Sequence, residues 1–134
     1  MKKVLSYMSM FGLTLVMLGC GGGTPVVNID NSQLLEKPAK TNNIEAAIKK
    51  GAVKRGWRVK KIKNGLFEVS QLIRNKYMVI VDVTYTTKGY KVDYKSSTNL
   101  KYNPETNTIH RSYNKWINNL VRDIDAELVY NGSL

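Results

Sequence analysis

The chain predicts an α+β domain: a four-stranded antiparallel meander with two helices packed on one face, in the order α-β-β-β-β-α. Three observations carry this expectation. Apolar residues recur at helical spacing near both ends of the domain, as Ile44, Ala47, Ile48 and Ala52 and again from Tyr113 to Leu128. Between them lie four runs of β-branched and aromatic residues, separated by turn-forming clusters at Asn64-Gly65, Arg74-Asn75-Lys76 and Thr86-Thr87-Lys88-Gly89. A four-stranded meander has one apolar face to cover, and the two helices are the elements available to cover it.

The first helix is expected over 43–55. Asn42 is a good N-cap and Glu45 stands three residues on, where a capping box places its acid. Gly56 suits the left-handed residue that closes a helix. Trp57 and Val59 alternate with Arg58 and Lys60 on a short strand, and Asn64-Gly65 is the strongest short hairpin signal. Leu66 to Ile73 makes the return strand. Tyr77 to Tyr85 follows, with Asp82 and Thr84 on one face. Tyr90, Val92 and Tyr94 then alternate with Lys91, Asp93 and Lys95, a strand with one wet face. Ser97 to Thr108 carries Pro104 and reads as irregular. From Ser112 as N-cap, the residues Tyr113, Trp116, Ile117, Leu120, Val121, Ile124 and Leu128 form one stripe of a second helix, with Lys115, Asn118, Asn119 and Arg122 opposite. The domain thus spans 42–134, long enough for a core without staples. Residues 20–41 mix Gly21-Gly22-Gly23, Pro25 and Pro38 with polar residues and read as a flexible tether. Val26, Val27, Ile29, Leu34 and Leu35 leave the alternative of a docked edge strand.

Residues 1–19 have the form of a secretory signal peptide: Lys2 and Lys3, an uncharged run from Val4 to Leu18, and a small residue before the cut. The run includes Ser6, Ser9 and Thr14 and falls short of the ~20 apolar residues a membrane span requires. Met17-Leu18-Gly19-Cys20 resembles the lipobox of bacterial lipoproteins. That resemblance implies cleavage before Cys20, a diacylglycerol on its sulfur and acylation of its new amino group. Several acyl chains anchor stably because each buried methylene adds about 0.8 kcal/mol. Gly21 follows the cysteine where enteric bacteria place a retention aspartate, so the expected address is the outer membrane, with the domain in the periplasm. Cys20 is the single cysteine, which excludes intramolecular disulfides and cysteine metal shells.

A second likeness covers nearly all of residues 44–125. Arg55-Gly56-Trp57, the block Ser97-Thr98-Asn99-Leu100-Lys101-Tyr102, and Ile109-His110-Arg111-Ser112-Tyr113-Asn114-Lys115-Trp116 resemble a group of uncharacterised small bacterial lipoproteins sharing Ser-x-Asn-Leu-x-Tyr and Ile-His-x-x-Tyr-Asn-x-Trp. The resemblance implies the address and the fold and supplies no activity.

The formal net charge is +11. Lys49, Lys50, Lys54, Arg55, Arg58, Lys60, Lys61 and Lys63 follow one another with no acid between Glu45 and Glu68. Such a run attracts phosphates and anionic polymers. Of these, Lys54, Arg55, Arg58, Lys60, Lys61 and Lys63 are the expected anion-binding set, against the plainer reading of a solvated surface. Nucleic acid is not an expected partner, because the periplasmic address removes its targets and Trp57 alone accompanies the charge. Ser97, Asn99, Tyr102, His110, Tyr113 and Asn114 flank the last loop and form a candidate polar pocket, although Asn and Ser equally serve turns and Tyr hydroxyls tie loops to sheets. His110, the single histidine, is expected to fix the entry of the second helix rather than act as a general base. One histidine with scattered carboxylates does not assemble a zinc shell. Asp123, Asp125 and Glu127 read as a solvated polar face near the end of the second helix. The resulting expectation is a non-catalytic interaction or structural module without cofactor or metal. It is held to the membrane by a lipid anchor and meets another envelope protein or an anionic envelope polymer. The alternatives are a binding module for anionic polymers or headgroups, and, third, a hydrolase built on His110.

Overall fold

The computed structural model describes residues 23–134. The expected signal peptide and the lipidation of Cys20 lie outside the described residues. In chain order the elements are β1 (Thr24–Pro25), β2 (Ile29–Asn31), α1 (Thr41–Val53), β3 (Arg58–Lys63), β4 (Leu66–Ile73), β5 (Tyr77–Thr86), β6 (Gly89–Thr98), β7 (Thr108–Ile109) and α2 (Ser112–Tyr130). The class is α+β with antiparallel sheets, but the expected four-stranded meander is incomplete. The main sheet has five strands in the order β2-β6-β5-β4-β3, and β1 pairs with β7 in a separate two-stranded sheet.

Two of the three added strands, β1 and β2, come from the segment expected to be a tether, where β2 takes the alternative of a docked edge strand, and β7 follows the loop expected to be irregular. Ile29 pairs with Val92, Asp30 with Lys91 and Asn31 with Tyr90, so β2 covers the edge that β6 would otherwise leave open. Thr24 and Pro25 pair with Ile109 and Thr108. The physical reason is burial: Val26 and Leu35 are within the core, with Ile29 and Leu34 packed against it, and a solvated chain would expose all four. Leu35 and Ala39 donate their backbone N–H groups to Lys88 and Thr87 carbonyls at 2.9 and 2.8 Å, fastening the segment over the β5–β6 turn.

The inner face of the sheet is built by strand alternation. Phe67 and Val69 on β4, Val79, Val81, Val83 and Tyr85 on β5, and Tyr90 and Val92 on β6 are all buried. Both helices pack there. α1 sets Lys49 over the Phe67 ring at 5.5 Å and hydrogen-bonds Tyr85 through Glu45, and α2 reaches the sheet through Tyr113 beside Tyr94 and Asp125 beside Tyr90. Outward, Lys60, Glu68, Asp82 and Asp93 stand in register across four strands. Asp82 directly opposite Asp93 is a like-charge pair that costs stability unless a cation is near. A bulge in β6 supplies one, since Val81 pairs with Tyr94 and Ile80 with Ser96. Lys95, the extra residue, reaches Glu68 at 2.7 Å and Asp82 at 3.7 Å.

Helix boundaries differ from expectation at their starts. α1 begins at Thr41 with Lys40, whose side chain offers no acceptor, as cap residue; Asn42, the expected cap, lies inside the helix, and Glu45 is engaged by Tyr85 and Lys61. Its end follows the expectation. Gly56 has φ +88°, its N–H reaches the Val53 carbonyl and Trp57 N–H reaches Ala52 at 3.1 Å, the paired bonds of a left-handed terminus.

The two helices cross at very short range. A Cβ on Gly51 would lie 2.7 Å from both Cα and N of Ile124 in α2, so only glycine permits this approach. Gly51→Ala is therefore expected to push the helices apart and cost about 1–3 kcal/mol, the range for overpacking a tight core. Chemical denaturation checks this, and a loss below ~0.5 kcal/mol would mean the crossing has slack.

Candidate functional site

The expected polar pocket does not form as one site. Ser97 Oγ lies 2.8 Å from Tyr94 OH, Tyr102 stacks on Tyr94 at 4.3 Å and Tyr113 meets the same ring edge-on at 5.6 Å. These three residues enclose Tyr94 as packing. The others brace backbone at separate places. Asn99 donates to the Lys76 carbonyl at 2.9 Å. Asn114 donates to the Pro25 carbonyl at 2.8 Å and accepts from Val27 N–H at 3.1 Å, locking the amino-terminal segment onto α2. His110 Nδ1 accepts the Ser112 N–H at 3.1 Å, so the imidazole serves the first turn of α2. The Tyr113 hydroxyl is buried without a partner. Burial, and secondarily the nearby Tyr94 and Asp93, pushes its ionisation far above the ordinary phenol range.

The basic stretch is dispersed over several surfaces. Arg58 and Lys60 face outward on β3, opposite Ser70 and Glu68. Lys61 points the other way and donates to Glu45 at 3.0 Å. Arg55 bonds Asp123 through Nε at 2.6 Å. Lys63 sits at the β3–β4 hairpin, and only Lys54 joins Lys49, Lys50, Val53 and Glu127 around an open groove of about 440 Å³ between α1 and α2. The separation follows from strand alternation, which sends neighbours to opposite faces.

Two of the three acids of α2 are engaged rather than solvated, while Glu127 lies at the open groove beside Lys54. Asp123 is only 5% exposed and holds Arg55. Asp125 accepts the Tyr90 hydroxyl at 2.5 Å, and Tyr90 in turn accepts from Asn31 Nδ2 at 3.2 Å, which ties β6, β2 and α2 together. Burial raises the Asp125 pKa and the Tyr90 hydrogen bond only partly opposes this.

A cleft that sequence reasoning missed lies where α1, β4 and α2 meet. Arg55, Trp57, Gln71, Ile73, Trp116 and Asn119 line a concavity of about 230 Å³. The left-handed turn at Gly56 delivers Trp57 to its floor, where the indole is buried. Trp116 stands half-buried, its ring 5.9 Å from Tyr77. Gln71 Nε2 donates to the Arg55 carbonyl at 2.5 Å, so the helix terminus is fixed against the sheet. The Arg55–Asp123 pair then aims the guanidinium from α1 toward the cleft. Trp57 was expected on a short strand and Trp116 in the apolar stripe of the second helix, and no spacing in the sequence placed them together.

No family model matches the chain, and neither a curated protein nor a solved structure matches it. Among the described residues no cluster of three or more metal-ligating side chains occurs, and no helix is long and apolar enough to cross a membrane.

The Glu45 contacts make a pH prediction. The Tyr85 hydroxyl first, and Lys61 second, hold the Glu45 carboxyl below the ordinary value near 4.5. A carboxyl so depressed contributes stability above its unfolded pKa and loses it as pH falls through the folded one. Asp125, shifted upward, works in the opposite sense, its penalty fading as it protonates. Wild type is expected to lose stability on acidification below about 4.5, and Glu45→Gln to flatten that limb in denaturant titrations at stepped pH. An unchanged acid limb would assign the loss to other carboxyls.

Proposed function

We propose that this chain is a lipid-anchored, non-catalytic module of the bacterial cell envelope, held at the outer membrane with its domain in the periplasm. Two observations support the reading together. Met17-Leu18-Gly19-Cys20 has the form of a lipobox, and the folded domain begins almost at once, with Thr24 already paired to Ile109. Extended chain covers at most ~3.5 Å per residue, so the three steps from Cys20 to Gly23 reach roughly 10 Å. An anchor on Cys20 therefore holds the β1–β7 end of the domain against the headgroups instead of letting it range on a long tether. Exposed Lys101 and Arg111 flank the hydrogen bond from His110 N–H to the Leu100 carbonyl near that end, and anionic headgroups attract such side chains. The engagement of Ser97, Tyr102, His110 and Asn114 in packing and backbone bonds favours an interaction role over the hydrolase alternative.

The deciding measurement is membrane fractionation with metabolic labelling by an alkyne fatty acid. Wild type is expected in the membrane fraction and labelled, Cys20→Ser soluble and unlabelled. Label or membrane retention in the variant would overturn the anchor.

A second reading, binding of anionic polymer or headgroup, is favoured by the groove at Val53. Val53 is 63% exposed and Lys49, Lys50 and Lys54 rim it. Binding to vesicles containing anionic lipid should weaken as salt rises and fall several-fold in Lys50→Glu with Lys54→Glu. Salt-independent cosedimentation unaffected by the double variant would dispose of it.

A further inference from the structure

We propose that the cleft between the two tryptophans is a binding site for a saccharide carrying a carboxylate. The inference concerns the ligand of the domain and stands whether or not Cys20 is acylated.

The lining has a mixed character that an apolar ligand would not satisfy. Trp57, Trp116 and Ile73 give it apolar walls, while Arg55, Gln71 and Asn119 bring a guanidinium and two side-chain amides to the same small volume. Sites for small ligands combine these features, apolar surface for burial and a few convergent polar groups for orientation. A pyranose ring presents C–H faces to an indole and hydroxyls to amides, each of which offers donor and acceptor. A fatty chain would instead strip water from three polar groups and return nothing.

The charge follows from how Arg55 is held. Only its Nε contacts Asp123, at 2.6 Å, and among the described residues that is the sole side-chain partner of Arg55. The two Nη groups keep their donors, in the fork that receives a carboxylate with two parallel bonds. Gln71 holds the backbone through its bond to the Arg55 carbonyl, and the Nε bond to Asp123 is the restraint on the guanidinium itself. Asp123, buried beside it, offsets the positive charge locally. The fork offers two hydrogen bonds to either anion, and with Asp123 beside it the second charge of a phosphate gains little and its greater desolvation tips the preference to the carboxylate. The volume of about 230 Å³ admits one sugar ring, so the remaining rings of a longer saccharide extend beyond the cleft.

The chain contains two tryptophans and both line this cleft, so tryptophan emission, excited selectively over the tyrosines, reports from this site. The experiment titrates the full-length protein, in micelles whose head groups carry no sugar, with trigalacturonate, with its fully methyl-esterified form and with galactose 6-phosphate. Saturable tryptophan quenching or shift is expected for the free acid below about 10 mM, with the ester at least about tenfold weaker and the phosphate weaker too. Arg55→Lys, which keeps a cation for Asp123 but removes the fork, and Asn119→Ala, at a half-exposed helix position, should each weaken acid binding several-fold. Asn119→Ala decides the matter if Arg55→Lys does not fold. Absence of a saturable change by about 10 mM, equal binding of acid and ester, tighter binding of the phosphate, or unaltered affinity in a folded Asn119→Ala would overturn the proposal.

Discussion

The close crossing of α1 over α2 at Gly51 is the constraint from which the rest of the molecule follows. With no side chain at that position the backbones meet at Ile124, and the carboxy-terminal turn of α1 is carried onto the middle of α2. Arg55 then finds Asp123, an acid too buried to be left unpaired. The turn at Gly56 swings Trp57 beneath Trp116, and Gln71 clasps the terminus from the sheet side. A larger residue at the crossing would loosen each of these contacts at once, because all of them depend on the same helix separation.

The layered packing is completed by tyrosines whose polar ends are used as ties. Tyr85 binds α1 through Glu45, and Tyr90 binds α2 through Asp125 while receiving Asn31 from the edge strand. Tyr94 gathers Ser97, Tyr102 and Tyr113 around itself at the other end of β6. The rings supply buried area and the hydroxyls give direction, which an all-aliphatic core would lack. Tyr113 is the exception, with a hydroxyl buried and unpaired.

Strand and helix identity was readable because it rests on local periodicity. The stripe from Tyr113 to Leu128, the Asn64-Gly65 hairpin and the alternation in Tyr90, Val92 and Tyr94 each declare their element within a few residues. The segment from Gly23 to Lys40 was not readable in that way. Its strands are two and three residues long, and they exist only because distant strands offer open edges. The candidate site was hidden for the same reason. Spacing grouped Ser97, His110 and Asn114 because they are neighbours in sequence, yet their side chains turn to different backbones, whereas Trp57 and Trp116 are far apart in the chain and adjacent in space.

By itself the sequence determined the order of the two helices and the four long strands between them, the apolar face each of these presents, and the lipobox form of residues 17–20, since these depend on side-chain chemistry at short range. Tertiary structure alone decided that the supposed tether supplies a fifth strand, that the basic run is split among several surfaces, and that Asp123 is buried against Arg55 and half-buried Asp125 is held by Tyr90 instead of forming a wet face. The physical reason is common to all three: hydrogen bonds at a sheet edge, cancellation of charge and exclusion of water are properties of pairs brought together by folding, and no single stretch of chain contains both members.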